Sequence, residues 1–136
     1  MGQTKLYVMA NRKENSTNMQ NERYVMDCDL AYAVCKIGGR WKIIILSKLE
    51  GGTLRFGALR DQIDGITERM LILQLKDLEK EGLVRRTVHA QVPPRVDYAL
   101  TDIAQDLIPI WRSLENWAVK HKQSQMQEGD RLRKSL

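Results

Sequence analysis

The chain has 136 residues, 43% of them hydrophobic, which is enough for one compact domain with a sizeable core. Its net charge of +5 at pH 7 suits nucleic acid, an anionic membrane or an acidic protein as partner. Two cysteines exclude a disulfide scaffold, no Cys/His cluster indicates zinc, and no apolar run approaches the roughly 20 residues of a membrane span. Residues 1–27 lack the apolar core of a signal peptide, so we expect a cytoplasmic protein. We expect no metal and no cofactor, because the sequence has no motif that binds either.

The charge is distributed unevenly along the chain. Residues 36–95 carry twelve Lys and Arg against seven Asp and Glu, and residues 120–136 carry five against two. Between these basic segments, residues 96–119 carry one basic against four acidic residues. The division indicates a basic surface for a polyanion and an acidic segment kept away from it.

The first predicted elements are an arm and two helices. Residues 1–25 are expected to form a flexible arm, because the segment 11–23 is almost entirely polar. A helix is predicted over 29–37, where Gly38 and Gly39 end the pattern. The next helix, at about 40–49, is apolar nearly all round, which is typical of a buried central helix.

Two further helices are predicted around a tight turn. The third helix spans 56–63, and Asp64-Gly65 forms the turn after it. Thr67 caps a fourth helix that ends at Gly82 and directs Leu71, Leu75 and Leu78 into the core.

After Gly82 the hydrophobic pattern predicts a β-hairpin and a last helix. Strands are expected at 83–88 and 95–100, joined by a turn that Pro93 and Pro94 stiffen. The helix runs to about residue 120, and Pro109 is predicted to kink it. Residues 121–136 are predicted to be a disordered basic tail.

This order of elements predicts a winged helix-turn-helix, an α+β fold that is mainly helical. The DNA-binding and dimerisation domain is expected at 26–120, with dimerisation helices at its N- and C-terminal ends.

Three segments resemble the HxlR family of winged-helix regulators: IGGRWK at 37–42, the stretch 54–86, and VPPRVDYALT at 92–101. The resemblance implies a homodimeric transcription factor that binds an operator near its own or a neighbouring gene. Some members sense oxidants or electrophiles through an early cysteine, which corresponds to Cys28. The chain departs from the family where Ile72 and Leu73 replace polar residues, and where Asp29 replaces a common Pro.

The N-terminal end of the fourth helix is the predicted DNA-reading element, because a helix-turn-helix directs this end into the major groove. Arg69 is expected to reach a guanine edge or a phosphate, and Ile72 to contact a thymine methyl group. Arg95 is the strongest candidate for a phosphate contact because it follows the rigid Pro-Pro tip, although an ion pair with Asp97 is the alternative. The predicted DNA contacts are Arg55, Arg60, Thr67, Glu68, Arg69, Ile72, Leu73, Lys76, Arg85, Arg86 and Arg95.

The last helix carries an apolar stripe that is wider than a chain of this size needs for its own core. A homodimer interface formed with the first helix is therefore predicted, with plain core packing as the alternative. The predicted interface residues are Leu30, Val34, Ile103, Leu107, Ile110, Trp111, Leu114 and Trp117.

Cys28 is the candidate sensor, because it lies at the start of the first helix, where the helix dipole favours a thiolate. Asp27 and Asp29 flank it and are expected to disfavour that charge, so a semi-buried residue without a switching role is the alternative. Cys35 is expected to face the core and be inert.

No catalytic residues are predicted, because the sequence has no phosphate-binding loop and no nucleophile with a paired base. His89 and His121 are each isolated in the sequence, which favours structural or solvent-exposed roles over metal binding. The rival functions are a winged helix that binds RNA or protein, and a thiol redox enzyme built on Cys28.

Overall fold

The computed structural model describes residues 22–24 and 26–136, and the chain divides at residue 40 into two compact units. The arm predicted at 1–25 lies outside the described residues, apart from 22–24, which are helical. The elements that follow are α1 (Asp29–Ile37), α2 (Lys42–Lys48), β1 (Leu54–Arg55), α3 (Phe56–Asp61), α4 (Glu68–Lys80), β2 (Val84–His89), β3 (Arg95–Leu100), α5 (Asp102–Gln105) and α6 (Ile108–Lys134).

Helix α1 belongs to the first unit and ends where the sequence predicts. The backbone amide of Gly38 donates to the carbonyl of Val34 at 2.6 Å. A Cβ atom at Gly38 would lie 2.1 Å from that oxygen, so only glycine fits this close approach without a shift. The glycine therefore fixes the end of α1.

In the second unit, α2 and α4 supply much of the core. Ile45 and Leu46 of α2 are fully buried, as are Leu71 and Leu78 of α4. Helix α2 is less completely enclosed than its composition predicts, because Ile44 is 37% exposed. The inward face predicted for α4 is confirmed.

The sheet is small and antiparallel, with the strand order β1-β3-β2. In the hairpin, Val84 pairs with Leu100 and His89 pairs with Arg95. The central strand β3 also pairs with β1, where Leu54 lies opposite Tyr98. The helix-turn-helix is thereby tied to the hairpin, and the winged helix-turn-helix fold is confirmed.

The C-terminal region differs from the sequence-based prediction in two ways. The single kinked helix is instead a short α5 followed by α6, with Pro109 in the first turn of α6. Proline is tolerated there because the first amides of a helix have no intrahelical acceptor.

The second difference concerns 121–136, predicted as a disordered tail, because α6 continues to Lys134. This segment has few apolar residues, but it is rich in Lys, Gln, Glu, Arg and Leu, which are good helix formers. Extending a helix that has already formed needs no new nucleation. None of the helices in the described part of the chain is both long and apolar enough to span a bilayer.

Candidate nucleic-acid interface

Helix α4 begins at the position that its sequence predicts. Thr67 is the N-cap, and its Oγ1 accepts a hydrogen bond from the Met70 amide at 3.1 Å. Gly65 has φ +81°, so the turn before the cap uses a left-handed conformation that suits glycine. The predicted contact residues of α4 point away from the buried leucines and are exposed: Glu68, Arg69, Ile72, Leu73 and Lys76.

Arg60 of α3 is engaged within the chain. Its Nη1 forms an ion pair with Glu68, and its Nε lies 3.3 Å from Oδ1 of Asp61. The hydrogen bond to Glu68 is the main reason that the pKa of Arg60 is raised above its usual value. Two predicted DNA contacts, Arg60 and Glu68, therefore neutralise each other at the junction of the two helices.

The wing carries a cluster of three side chains, His89, Arg95 and Asp97, which we name the wing cluster. Asp97 is only 5% exposed. Its Oδ1 accepts from Nε of Arg95 at 2.9 Å, and its Oδ2 lies 3.0 Å from Nε2 of His89. The Arg95 hydrogen bond, helped by His89, holds the pKa of Asp97 below its usual value in spite of burial.

The structure therefore shows the alternative role considered for Arg95, an ion pair with Asp97. His89 was expected to have a structural or solvent-exposed role, and its contact with Asp97 is a structural one. The hairpin register brings it next to Asp97, because His89 pairs with Arg95 and Thr87 pairs with Asp97. The sequence signal that pointed towards this neighbour is the predicted hairpin, which brings residues on the two sides of the Pro-Pro turn together.

The other basic residues predicted to contact phosphates are not paired with a carboxylate in the described part of the chain. Across residues 22–24 and 26–136, no ion pair is formed by Arg55, Arg69, Lys76, Arg85 or Arg86. All five are exposed. Helix α4 and the hairpin together thus present positive charge that is not neutralised from within.

A cleft of about 710 Å³ lies between α4 and the wing, and we name it the helix–wing cleft. Its lining includes the cations Arg55, Lys76, Arg86 and Arg95 and the aromatic side chains of Phe56 and Tyr98. The two rings contact each other, with centroids 6.4 Å apart and planes inclined at 52°. Sequence reasoning did not assign either ring to a surface.

The predicted dimer residues do not share one environment. Leu30 and Val34 of α1 and Ile103 of α5 are exposed, and Leu107 is half-buried. On α6, three exposed residues form a line that we name the outer stripe: Ile110, Leu114 and Trp117. His121 extends the stripe, because its ring stacks on the ring of Trp117 with the two ring centroids 4.9 Å apart.

Trp111 does not belong to this surface, and its assignment to a dimer interface was wrong. It is 3% exposed, and its Nε1 donates to Oε2 of Glu50 at 3.4 Å. Arg112 pairs with the same carboxylate. One residue along a helix is a rotation of about 100°, which carries Trp111 from the stripe into the core.

Cys28 occupies the N-cap position of α1 and is half-buried. Its pKa is lowered, chiefly by the backbone amide of Ala31 and then by the Tyr24 hydroxyl. The flanking Asp27 and Asp29, expected to disfavour the thiolate, are not among the causes of this shift. Cys35 is exposed, which corrects its predicted core position. No group of three metal-binding side chains occurs within the described residues.

Comparison with known proteins agrees with this arrangement. Residues 36–126 match the model of the HxlR-like helix-turn-helix family. An HTH-type transcriptional regulator of Methanothermobacter thermautotrophicus is 39% identical over 114 residues, which is 84% of this chain and 86% of that protein.

Solved structures give the same result. The redox regulator HypR in its oxidized form is 40% identical, with a TM-score of 0.65 over 68% of this chain and 96% of that chain. The reduced form of the regulator YodB from Bacillus subtilis is 31% identical, with a TM-score of 0.60 over 66% of this chain and 88% of that chain. The chain belongs to the HxlR-like helix-turn-helix family and is a winged helix-turn-helix transcriptional regulator.

Proposed function

We propose that the protein binds an operator in double-stranded DNA as a homodimer, with α4 of each subunit in a major groove and the wing against the adjacent backbone. The observation that supports this most directly is the unneutralised positive charge on α4 and β2. Exposed cations without carboxylate partners are what phosphate binding requires, because they release counterions on contact. These cations would also suit RNA, and DNA is favoured over RNA or protein by the similarity to HTH-type transcriptional regulators.

The residues of α4 divide into two roles. Thr67, Glu68 and Arg69 lie at its N-terminal end, which enters the groove first in a helix-turn-helix. Arg69 has the donors to read the O6 and N7 acceptors of guanine. Ile72 and Leu73 are 41% and 49% exposed, so their methyl groups are available for thymine C5-methyl groups.

The phosphate contacts form a second group with unequal expected strength. Arg55, Lys76, Arg85 and Arg86 bring full charges to the backbone. Arg60 and Arg95 are held by carboxylates, so their net charge towards a phosphate is smaller. We propose that these two arginines position the surface more than they neutralise DNA.

The dimer is proposed to form through the outer stripe of α6 together with Leu30 and Val34 of α1. Exposed large apolar side chains in a line are unusual on a monomer and mark interaction surfaces. A two-fold axis through the outer stripe would present two α4 helices to half-sites about 34–36 Å apart.

The test uses DNA recovered with the purified protein, labelled and titrated by fluorescence anisotropy. Eight phosphates neutralised per dimer would lower the affinity by about four decades between about 50 and 200 mM salt. A scrambled duplex of equal length is the control for sequence specificity. An affinity independent of salt, or equal affinity for both duplexes, would contradict the proposal.

A redox-responsive form of this function is supported by Cys28. Its lowered pKa favours the thiolate, the form that reacts with oxidants. The similarity to the redox regulator HypR agrees with such a role. We propose that diamide, which accepts two electrons and two protons as Cys28 forms a disulfide with a thiol of another molecule, weakens operator binding.

Paired variants test the sensor separately from DNA binding. Cys28→Ser should bind the operator and ignore diamide, whereas Cys35→Ser should respond as the unmodified protein does. Dithiothreitol should restore binding. A full diamide response in Cys28→Ser would refute the role of this cysteine and leave operator binding unaffected.

A further inference from the structure

The helix–wing cleft has a floor that DNA binding alone does not require. Leu75 and Tyr98 are 2% and 7% exposed, and the Phe56 ring lies against Tyr98. Contacts to DNA phosphates require exposed cations, but they do not require a cleft lined by aromatic side chains. A volume of about 710 Å³ falls within the range of pockets that enclose small organic molecules, roughly 300–1,000 Å³.

The charges around the cleft favour one sign of ligand. Arg55, Lys76 and Arg86 line it and form no ion pair with any described residue. Arg95 lines it as well, but Asp97 offsets its charge. Glu79 also contributes to the lining, which leaves an excess of positive charge.

We propose that the helix–wing cleft binds a small organic anion, with an apolar aromatic body against Phe56 and Tyr98 and an acidic head group at Arg86 and Lys76. This combination satisfies both the apolar floor and the unpaired cations. The ligand and DNA would compete, because Lys76 and Arg86 belong to both surfaces. The regulatory part of this inference rests on the proposed function, whereas ligand binding itself does not.

The first experiment is calorimetry on the full-length protein without DNA, with 1-naphthoate as the probe. Two matched probes separate the aromatic ring system from the negative charge. 1-Naphthamide has the naphthalene ring without the charge, and inorganic phosphate has the negative charge without an aromatic ring. Naphthoate should bind saturably and at least about tenfold more tightly than either, as the loss of one charge-assisted contact predicts. Equal affinity for naphthamide or phosphate, or no binding of naphthoate, would overturn the proposal.

Neighbouring arginines on β2 provide the matched variants. Arg86 lines the cleft and Arg85 does not, although both are exposed and adjacent in sequence. Arg86→Gln should weaken naphthoate binding about tenfold, whereas Arg85→Gln should change it less than about twofold. Lys76→Gln is the second cleft variant, and equal melting temperatures confirm that all three fold. Equal losses in Arg85→Gln and Arg86→Gln would place the ligand elsewhere.

Competition is measured last, by adding naphthoate to the protein–operator complex at constant ionic strength. Release of DNA by naphthoate, but not by naphthamide, supports regulation through the cleft. Binding to the DNA-free protein without release of DNA would overturn the regulatory part. A protein that binds no operator would refute the proposed function, and the calorimetry would still decide the ligand site.

Discussion

The proposed DNA-binding surface of α4 and the wing differs from the outer face of α6 in what makes a side chain available to a partner. On the proposed DNA-binding surface, Arg60 and Arg95 are held by carboxylates that lie one to eight residues away in the sequence. On α6, Trp111 is removed from the surface by its rotation about the helix axis. Whether a charged side chain is available depends on the carboxylates near it. Whether an apolar side chain of α6 is available depends on which face of the helix it lies on.

The two tryptophans of α6 test this difference most strongly. Trp111→Ala should lower the free energy of unfolding by about 3–5 kcal/mol, because it leaves a cavity in the core and removes the indole donor to Glu50, which then keeps only Arg112 as a partner. Trp117 is 61% exposed, so Trp117→Ala should cost each subunit less than about 0.5 kcal/mol. Urea denaturation at two protein concentrations separates subunit stability from dimerisation. A similar loss of unfolding free energy in both variants would contradict the assignment of Trp111 to the core and of Trp117 to the outer stripe.

A charge in the outer stripe should break the proposed dimer. Leu114→Glu would bury an unpaired carboxylate at the interface and raise the dimer dissociation constant at least about 30-fold. Asn116→Glu adds the same charge about 120° away from the stripe and should leave dimerisation unchanged. Sedimentation velocity between nanomolar and micromolar protein measures both. An unaltered dimer in Leu114→Glu would show that α6 does not form the interface through this face.

Free and paired arginines should differ in the salt dependence of operator binding. Arg86→Gln should reduce the slope of log affinity against log salt by about two units per dimer, since each lost phosphate contact removes about 0.9. Arg95→Gln should reduce it by less than about one unit, because Asp97 already offsets that charge. Anisotropy titrations at four salt concentrations give both slopes. Equal reductions would mean that Arg95 leaves Asp97 when DNA binds.

Acid should remove the stability that the wing cluster contributes. The pKa of Asp97 is lowered in the folded state, so its stabilising effect is complete above the ordinary Asp value of about 3.9 and is lost as the pH falls through the folded value. Asp97→Asn should lower the melting temperature by up to about 5 °C at pH 7, and the gap should narrow progressively as the pH falls below about 4.

Asp61→Asn is the matched control for this smallest effect. The Asp61 carboxylate is 72% exposed, and exposed ion pairs contribute little to stability. Its melting temperature should follow that of the unmodified protein at every pH. A gap for Asp97→Asn that stays constant down to pH 3 would contradict the assignment of the stabilisation to the ionised carboxylate.

Strong local signals predicted most of the fold. Thr67 and Gly82 delimit α4 because capping and chain reversal depend on residues close in sequence. The β3 bounds agree with the alternating pattern, and β2 is shifted by one residue. Residues 121–134 were misread because hydrophobic content was weighed above helix propensity.

The candidate site was less accessible to sequence reasoning, because its geometry depends on the hairpin register. The contact between His89 and Asp97, eight residues apart, exists only once the strands are paired. Similarly, Phe56 and Tyr98 lie 42 positions apart and meet where β1 joins β3. Spacing along one helix or strand cannot reveal such pairs.

The strand order leaves β2 at the edge of the sheet, so among residues 22–24 and 26–136 no strand pairs with the outer side of its backbone. Such an edge can add a strand from another molecule and start aggregation. Arg85 and Arg86 lie on this edge, and their like charges repel a second copy of the same strand. The arginines therefore oppose edge-to-edge pairing of two copies, and replacing them by Gln or Val would remove this repulsion.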